Sequence, residues 1–181
     1  MLYPRLNKIL IILITAAFIV TGLRSYQLYR YIFDDNVKNP GTITIPYEAT
    51  FGQVLDSLRT KEILKSEKAF RWVSKKKAYP DHIKAGRYLF HAGQNTNNMV
   101  NMLKAGNQEP VLIVFNNLRF MEELAGKVSR YIAADSSTLM AYLSDSALIA
   151  KLGFNKYSFH AMFIPNTYEM YWTTTPEKFV Q

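Results

Sequence analysis

The chain has 181 residues, enough for one ordinary domain or two small ones. Hydrophobic residues make up 49% and charged residues 20%, without a low-complexity tract, so most of the chain is expected to fold. Cysteine is absent, which excludes a disulfide framework and a thiolate metal site and leaves the compartment open.

The net charge is +8. Residues 1–30 hold Arg5, Lys8, Arg24 and Arg30 and no acid, so the remainder carries 18 basic against 14 acidic residues. The excess gathers in residues 59–77, where eight basic residues face only Glu62 and Glu67. This reads either as a solvated basic helix pair or as a surface facing anionic lipid or an acidic polymer. No RNA- or DNA-binding motif is present, and nucleic acid is not expected as a partner.

In chain order, residues 9–23 (ILIILITAAFIVTGL) come first and carry no charge. Fifteen residues is short for a helix crossing a hydrocarbon core. Lys8 and Arg24 can snorkel, however, and Tyr26, Tyr29 and Tyr31 suit an interfacial belt. A cleaved signal peptide is the rival reading, but residues 23–26 make a poor cleavage site. Residues 1–31 are therefore expected to be a cytoplasmic tail and a single-pass anchor, with the bulk of the chain on the periplasmic or extracytoplasmic side. Residues 32–41 are polar and read as a linker.

Residues 42–46 (TITIP) alternate as a strand. Thr50 with Gln53 forms a capping box before Phe51, Val54, Leu55 and Leu58, which follow helical spacing. Ser66 caps a second helix at about 67–77, and residues 86–90 (GRYLF) read as a strand. Thr96 caps a helix with Met99, Val100 and Leu103 on one face, closed by Gly106. The pattern then recurs weakly: a strand at 111–115 (VLIVF), then Met121, Leu124, Ala125 and Val128 at helical spacing. Two short helices follow at 137–143 and 146–152. Thr175, Pro176 and Glu177 are helix-start signals close to the last residue. So short a helix does not stand alone in water, and the chain is expected to be the front part of a longer protein. The fold class expected is α+β.

The residues offer little chemistry outright. His82, His91 and His160 have no ligand spacing, so neither metal nor cofactor is expected. No nucleotide-binding or nucleophile-elbow motif occurs. The segment 163–172 (FIPNTYEMYW) sets Glu169 among aromatic residues. Two readings stay open: a general acid with a pKa raised by burial, or a carboxylate bonded to backbone or solvated on a strand edge. Asn166 and Thr167 after Pro165 equally suit a turn.

Four segments, in order, resemble the MltG/YceG-like endolytic murein transglycosylases: IPYEATFGQVLDSLRTKEILKSEKAFRWV, IKAGRYLFHAGQNTNNMVNMLKAG, VLIVFNNLRFMEELAGKVS and FIPNTYEMYWTTTPEKF. The last is similar to a P-[DN]-T-Y signature. Two places depart from the family pattern: His160-Ala161 and Asn116-Asn117-Leu118 stand where many members have Glu-Gly. The resemblance implies a LysM-like module at 42–108 and the start of a catalytic domain at 109–181. It implies cleavage of MurNAc–GlcNAc bonds with 1,6-anhydro products, by one glutamate acting as acid and then as base. That glutamate belongs to a segment resembling A-S-[IL]-[IV]-E-K-E, several tens of residues past the signature, and this sequence holds no such segment. No catalytic residue is therefore assigned, and Glu169 is not at the family acid's position. Asn166, Thr167, Tyr168 and Trp172 are the expected substrate-binding residues, as a wall of the glycan groove. Peptidoglycan strands, the membrane and cell-wall synthases are the implied partners. The alternative is a non-enzymatic peptidoglycan-binding or scaffold membrane protein.

Overall fold

The computed structural model describes residues 3–115 and 120–181, with side chains from residue 8 onward. Its first element is one continuous helix, α1 (Tyr3–Phe33). Within it, Lys8–Phe33 is long and apolar enough to cross a membrane, and its most apolar window is not buried at all inside the protein. Ile9, Leu13 and Phe18 all stand exposed. So wide an apolar surface is costly in water, whereas a helix satisfies its own backbone in lipid. Thr15 and Thr21 turn their hydroxyls onto the carbonyls of Ile11 and Ala17, one turn back, and so need no outside partner.

The last turns of α1 run directly into the folded part. The Tyr31 ring lies 6.4 Å from that of Trp72, and Ile32 packs on the first core. The stretch 32–41, expected as a linker, is ordered against that core instead. Asp35 and Val37 make single antiparallel bridges with Asn95 and Leu64, and Asn36 and Val37 are both buried. Composition misleads here because the Asn36 amide is satisfied internally. Its Oδ1 accepts from the Ser66 N–H at 2.6 Å and its Nδ2 donates to the Ser66 carbonyl at 3.0 Å.

In the first core, β1 (Gly41–Ile45) pairs antiparallel with β2 (Gly86–Phe90), in register from Gly41↔Phe90 to Ile45↔Gly86. Alternation turns Ile43, Ile45, Tyr88 and Phe90 inward. Three helices supply the rest of this core: α2 (Phe51–Thr60), α3 (Glu67–Lys76) and α4 (Thr96–Ala105). Leu58, Phe70 and Leu103 are their fully buried contributions. The capping box forms as expected: Thr50 Oγ1 accepts from the Gln53 N–H, and Gln53 Oε1 accepts from the Thr50 N–H at 2.7 Å. The cap of α4 is Asn95 rather than Thr96. Asn95 Oδ1 accepts from the Asn98 N–H at 2.9 Å, which leaves Thr96 as a buried first helical residue.

In the second core, β3 (Val111–Val114) pairs antiparallel with β4 (Thr167–Met170). Around this ribbon lie α5 (Met121–Val128), α6 (Ser136–Leu143), α7 (Ser146–Lys151), a 3-10 turn at Phe159–Met162, and α8 (Pro176–Phe179). Ile113, Leu124, Val128, Leu139 and Phe159 form its centre. Asp135, Asp145 and Thr175 cap their helices through side-chain oxygens. The Asn116-Asn117-Leu118 turn lies outside the described residues. The architecture is α+β, with one hydrophobic cluster drawn from 37–103 and another from 111–180.

Candidate functional site

The segment 163–172 builds β4 and both of its ends. Phe163 anchors the entry, with its ring 5.6 Å from Phe159 edge-on and 5.6 Å from Phe179 stacked. The Phe115 N–H donates to the Asn166 carbonyl at 2.8 Å, which carries the β3–β4 ladder one residue further. The Asn166 Oδ1 accepts from the Thr167 N–H at 2.7 Å, a local bond that fixes the start of the strand.

From there the two-residue period of a strand decides which side chain faces what. Thr167 and Glu169 point outward and are exposed; Tyr168 and Met170 pack on the second core. The Tyr168 ring lies 4.9 Å from Phe115, and its hydroxyl donates to the Ile164 carbonyl at 2.9 Å. Glu169 stands opposite Leu112 on the exposed face. The burial that would suit it to general-acid work is therefore absent, and the solvated-strand reading is the one observed.

Trp172 lies beyond β4 in a seam between the two cores. Its ring is 5.8 Å from Tyr47, and its carbonyl accepts from the Ala133 N–H at 2.7 Å. The next residue ties the same seam. The Thr173 Oγ1 accepts from Gln108 Nε2 at 2.8 Å, and its carbonyl accepts from the Tyr47 hydroxyl at 3.4 Å. The four expected substrate-binding residues thus occupy three environments. Asn166 and Thr167 lie exposed at the start of β4, Tyr168 lies against the core, and Trp172 lies in the seam.

Two surfaces escaped the sequence reading. The outer face of the ribbon exposes Leu112 (64%) and Val114 (48%) beside Thr167 and Glu169. Alternation in VLIVF marked one strand, but its partner could not be read locally. The second is a cleft of about 720 Å³ among α5, α6, α7 and the 3-10 turn. Met121, Leu143, Ile149 and Phe159 make it apolar, and Glu122 and His160 lie on it as polar groups. Its size falls within the usual range for small-molecule sites. No local motif marks it, because its walls come from four separate elements.

Residues 43–181 match the model of the YceG-like family. Among solved structures, a yceG-like protein, lmo1499, from Listeria monocytogenes is similar at 18% identity and a TM-score of 0.40, covering 79% of this chain and 52% of that one. The chain thus spans about half the length of that structure. No curated protein sequence matches. The family match begins inside β1 and takes in β2, β3, β4 and every helix after α1. The chain belongs to the YceG-like family.

Proposed function

We propose that this chain serves in a membrane-anchored endolytic peptidoglycan transglycosylase. The enzyme cleaves MurNAc–GlcNAc bonds, leaves 1,6-anhydro-MurNAc ends and so terminates glycan strands during cell-wall assembly. The observation that carries this reading is the family match over residues 43–181, which spans both hydrophobic clusters. In this reading α1 is a single-pass anchor in the plasma membrane, with the rest of the chain on its outer side. Residues 42–108 form a LysM-like module and residues 109–181 begin the catalytic domain.

The chemistry needs one proton donor at the glycosidic oxygen. The muramyl 6-hydroxyl then closes the ring, and an intramolecular nucleophile removes the need to hold a water as ordinary glycosidases do. No residue of this chain is assigned to the proton transfer, since Glu169 is solvated on the ribbon. The chain's own contribution is a surface for the glycan. Asn166 and Thr167 offer an amide and a hydroxyl at the strand start, and Trp172 offers part of a ring face beside Tyr47. Tyr168 supports them from within.

A second reading is a non-enzymatic peptidoglycan-binding or scaffold membrane protein with a LysM-like module. One experiment separates the two. Deleting the gene should lower the fraction of 1,6-anhydro muropeptides in digested sacculi, and overexpression should raise it. An unchanged anhydro fraction, with the protein still sedimenting with sacculi, would overturn the enzyme and leave the binder.

A further inference from the structure

Helix α3 presents an exposed basic face. Ala69, Phe70, Val73 and Ser74 turn inward, and the opposite side exposes Lys68, Arg71, Lys75 and Lys76 around a half-buried Trp72. At 3.6 residues per turn, Lys68, Lys75 and Lys76 fall within about 60° of Trp72. The one acid of α3, Glu67, is held by Arg59 and Arg71. Among the described residues no carboxylate pairs with Lys68, Lys75 or Lys76. Asp81 borders Lys75 in a shallow pocket, which still leaves the face net positive. The Lys76 ammonium lies 5.8 Å from the centre of the Trp72 ring.

Like charges at helical spacing repel one another, and no acid on this face offsets the three lysines. An anionic partner would remove that repulsion. A tryptophan set among lysines also matches a water–lipid boundary: the ring takes the boundary itself, and the long lysine stems carry their ammonium groups out to the phosphates.

The place of this face in the fold says which anionic partner meets it. The part of α1 able to cross a membrane, Lys8–Phe33, has 26 residues, about 39 Å at 1.5 Å per residue. That exceeds a hydrocarbon core of about 30 Å and nearly fills a bilayer with its headgroups, about 40–45 Å. The far end of α1 therefore lies in the headgroup layer. Helix α3 packs against this end: Tyr31 meets Trp72, and Tyr26 and Arg30 share a cavity with Ser66 and Ala69. Trp72 thus stands level with Tyr31, and lysines one or two places along the helix face from it reach lipid phosphates.

We infer that this face of α3 seats on anionic phospholipid headgroups of the membrane that α1 crosses. Lys68, Lys75 and Lys76 take the phosphates, and Trp72 takes the boundary beside Tyr31. Each lysine near an anionic surface strengthens the hold about fivefold. The first core is then held at two points, by α1 and by α3, which limits its swing about the end of α1. The inference rests on the reading of α1 as a retained anchor.

The test places the full chain in lipid nanodiscs of phosphatidylcholine, or of an equal mixture of phosphatidylcholine and phosphatidylglycerol. Lysine acetylation, read by mass spectrometry, should be about fivefold slower at Lys68, Lys75 and Lys76 in the anionic discs. It should be unchanged at Lys151 and Lys156, exposed residues of the second half of the chain. High salt should remove the protection while the chain stays in the disc. Trp172→Phe leaves Trp72 as the sole tryptophan, and a headgroup spin label should quench it more in the anionic discs. Lys68→Gln with Lys75→Gln and Lys76→Gln, all exposed positions, should abolish that difference with an unchanged melting temperature. Equal acetylation of the three lysines in both discs overturns the lipid contact. Protection in phosphatidylcholine discs by added poly(glycerol phosphate), as strong as that by phosphatidylglycerol, shows an acidic polymer as partner and overturns the lipid assignment. A chain that stays out of both discs overturns the retained anchor itself, an outcome distinct from loss of the α3 contact alone.

Discussion

Asn36 and Ser66 exchange two hydrogen bonds, at 2.6 and 3.0 Å, across 30 positions of sequence. Both ends of one buried amide thereby clamp the chain that leaves α1 to the cap of α3. Asn36→Ala leaves the Ser66 N–H without its partner, while the Ser66 carbonyl still accepts from the Phe70 N–H at 3.2 Å, and should destabilise the first core by about 1–3 kcal/mol. The neighbouring Lys65–Asp35 pair is solvent-exposed, so Lys65→Ala should cost less than about 1 kcal/mol. Urea unfolding of both variants, followed by tryptophan fluorescence, measures the contrast. Equal effects would show that the Asn36 clamp adds nothing beyond a surface contact.

Tyr168 and Glu169 are neighbours with opposite roles. Tyr168→Ala removes a ring packed on Phe115 and a hydroxyl bonded to Ile164, and should cost about 3–5 kcal/mol. Tyr168→Phe loses only the hydrogen bond, about 1 kcal/mol. Glu169→Gln changes an exposed strand residue and should stay within about 0.5 kcal/mol of the parent. Thermal melts rank the three. On the proposed transglycosylase reading, Glu169→Gln should also leave glycan turnover intact. Loss of turnover in a well-folded Glu169→Gln protein would return this carboxylate to the chemistry.

Alkaline titration reads the first core. Burial pushes the Tyr88 phenol up to about 12, and it raises Tyr79 as well, with Tyr88 adding to that rise. A folded-state value above the ordinary 10.0 gives stability that is complete below pH 10 and is lost as pH rises from 10 toward 12. The Tyr88 hydroxyl also donates to the Lys84 carbonyl at 3.0 Å. Tyr88→Phe should therefore lower stability at neutral pH by about 1 kcal/mol while flattening part of the alkaline loss. Phenolate absorbance against pH should show a late step in the parent that shrinks in the variant. Titration of every tyrosine near pH 10 with the fold intact would contradict the burial.

What could be read in the sequence was what forms between near neighbours. The Thr50–Gln53 box and the Thr175 cap need partners only three residues away, so local spacing revealed them. The start of α4 was off by one because Asn95 and Thr96 both make good caps, and only burial of Thr96 decides between them. The pairing of β3 with β4 and the Tyr47–Trp172 contact join distant stretches, and no local pattern announces them. The geometry of the candidate site was hidden for the same reason. FIPNTYEMYW could be singled out, but which of its side chains face solvent follows from the register Ile113↔Tyr168. Residues 32–41 misled because a buried asparagine with both amide ends paired has the composition of a loop.

Gly86 gives the sharpest test of the seam between the cores. It opens β2 with φ at +152°, where side chains are strained, and a Cβ added there would lie 2.5 Å from Gln108 Cδ. Gln108 is the residue whose Nε2 reaches Thr173, next to Trp172. Gly86→Ala should cost about 1–3 kcal/mol in backbone strain and also push the Gln108 side chain off Thr173. Gln108→Ala alone should cost about 1 kcal/mol for the lost bond. Because both act on one contact, the double variant should be less destabilised than the sum, by roughly 0.5–1 kcal/mol. The Ala133 amide, which donates to the Trp172 carbonyl, provides a local readout. Its hydrogen exchange should quicken in Gly86→Ala, while the Lys38 amide, bonded to Ile63 in the first core, should change less. Strict additivity with an unchanged Ala133 rate would mean that Gln108 does not hold the seam.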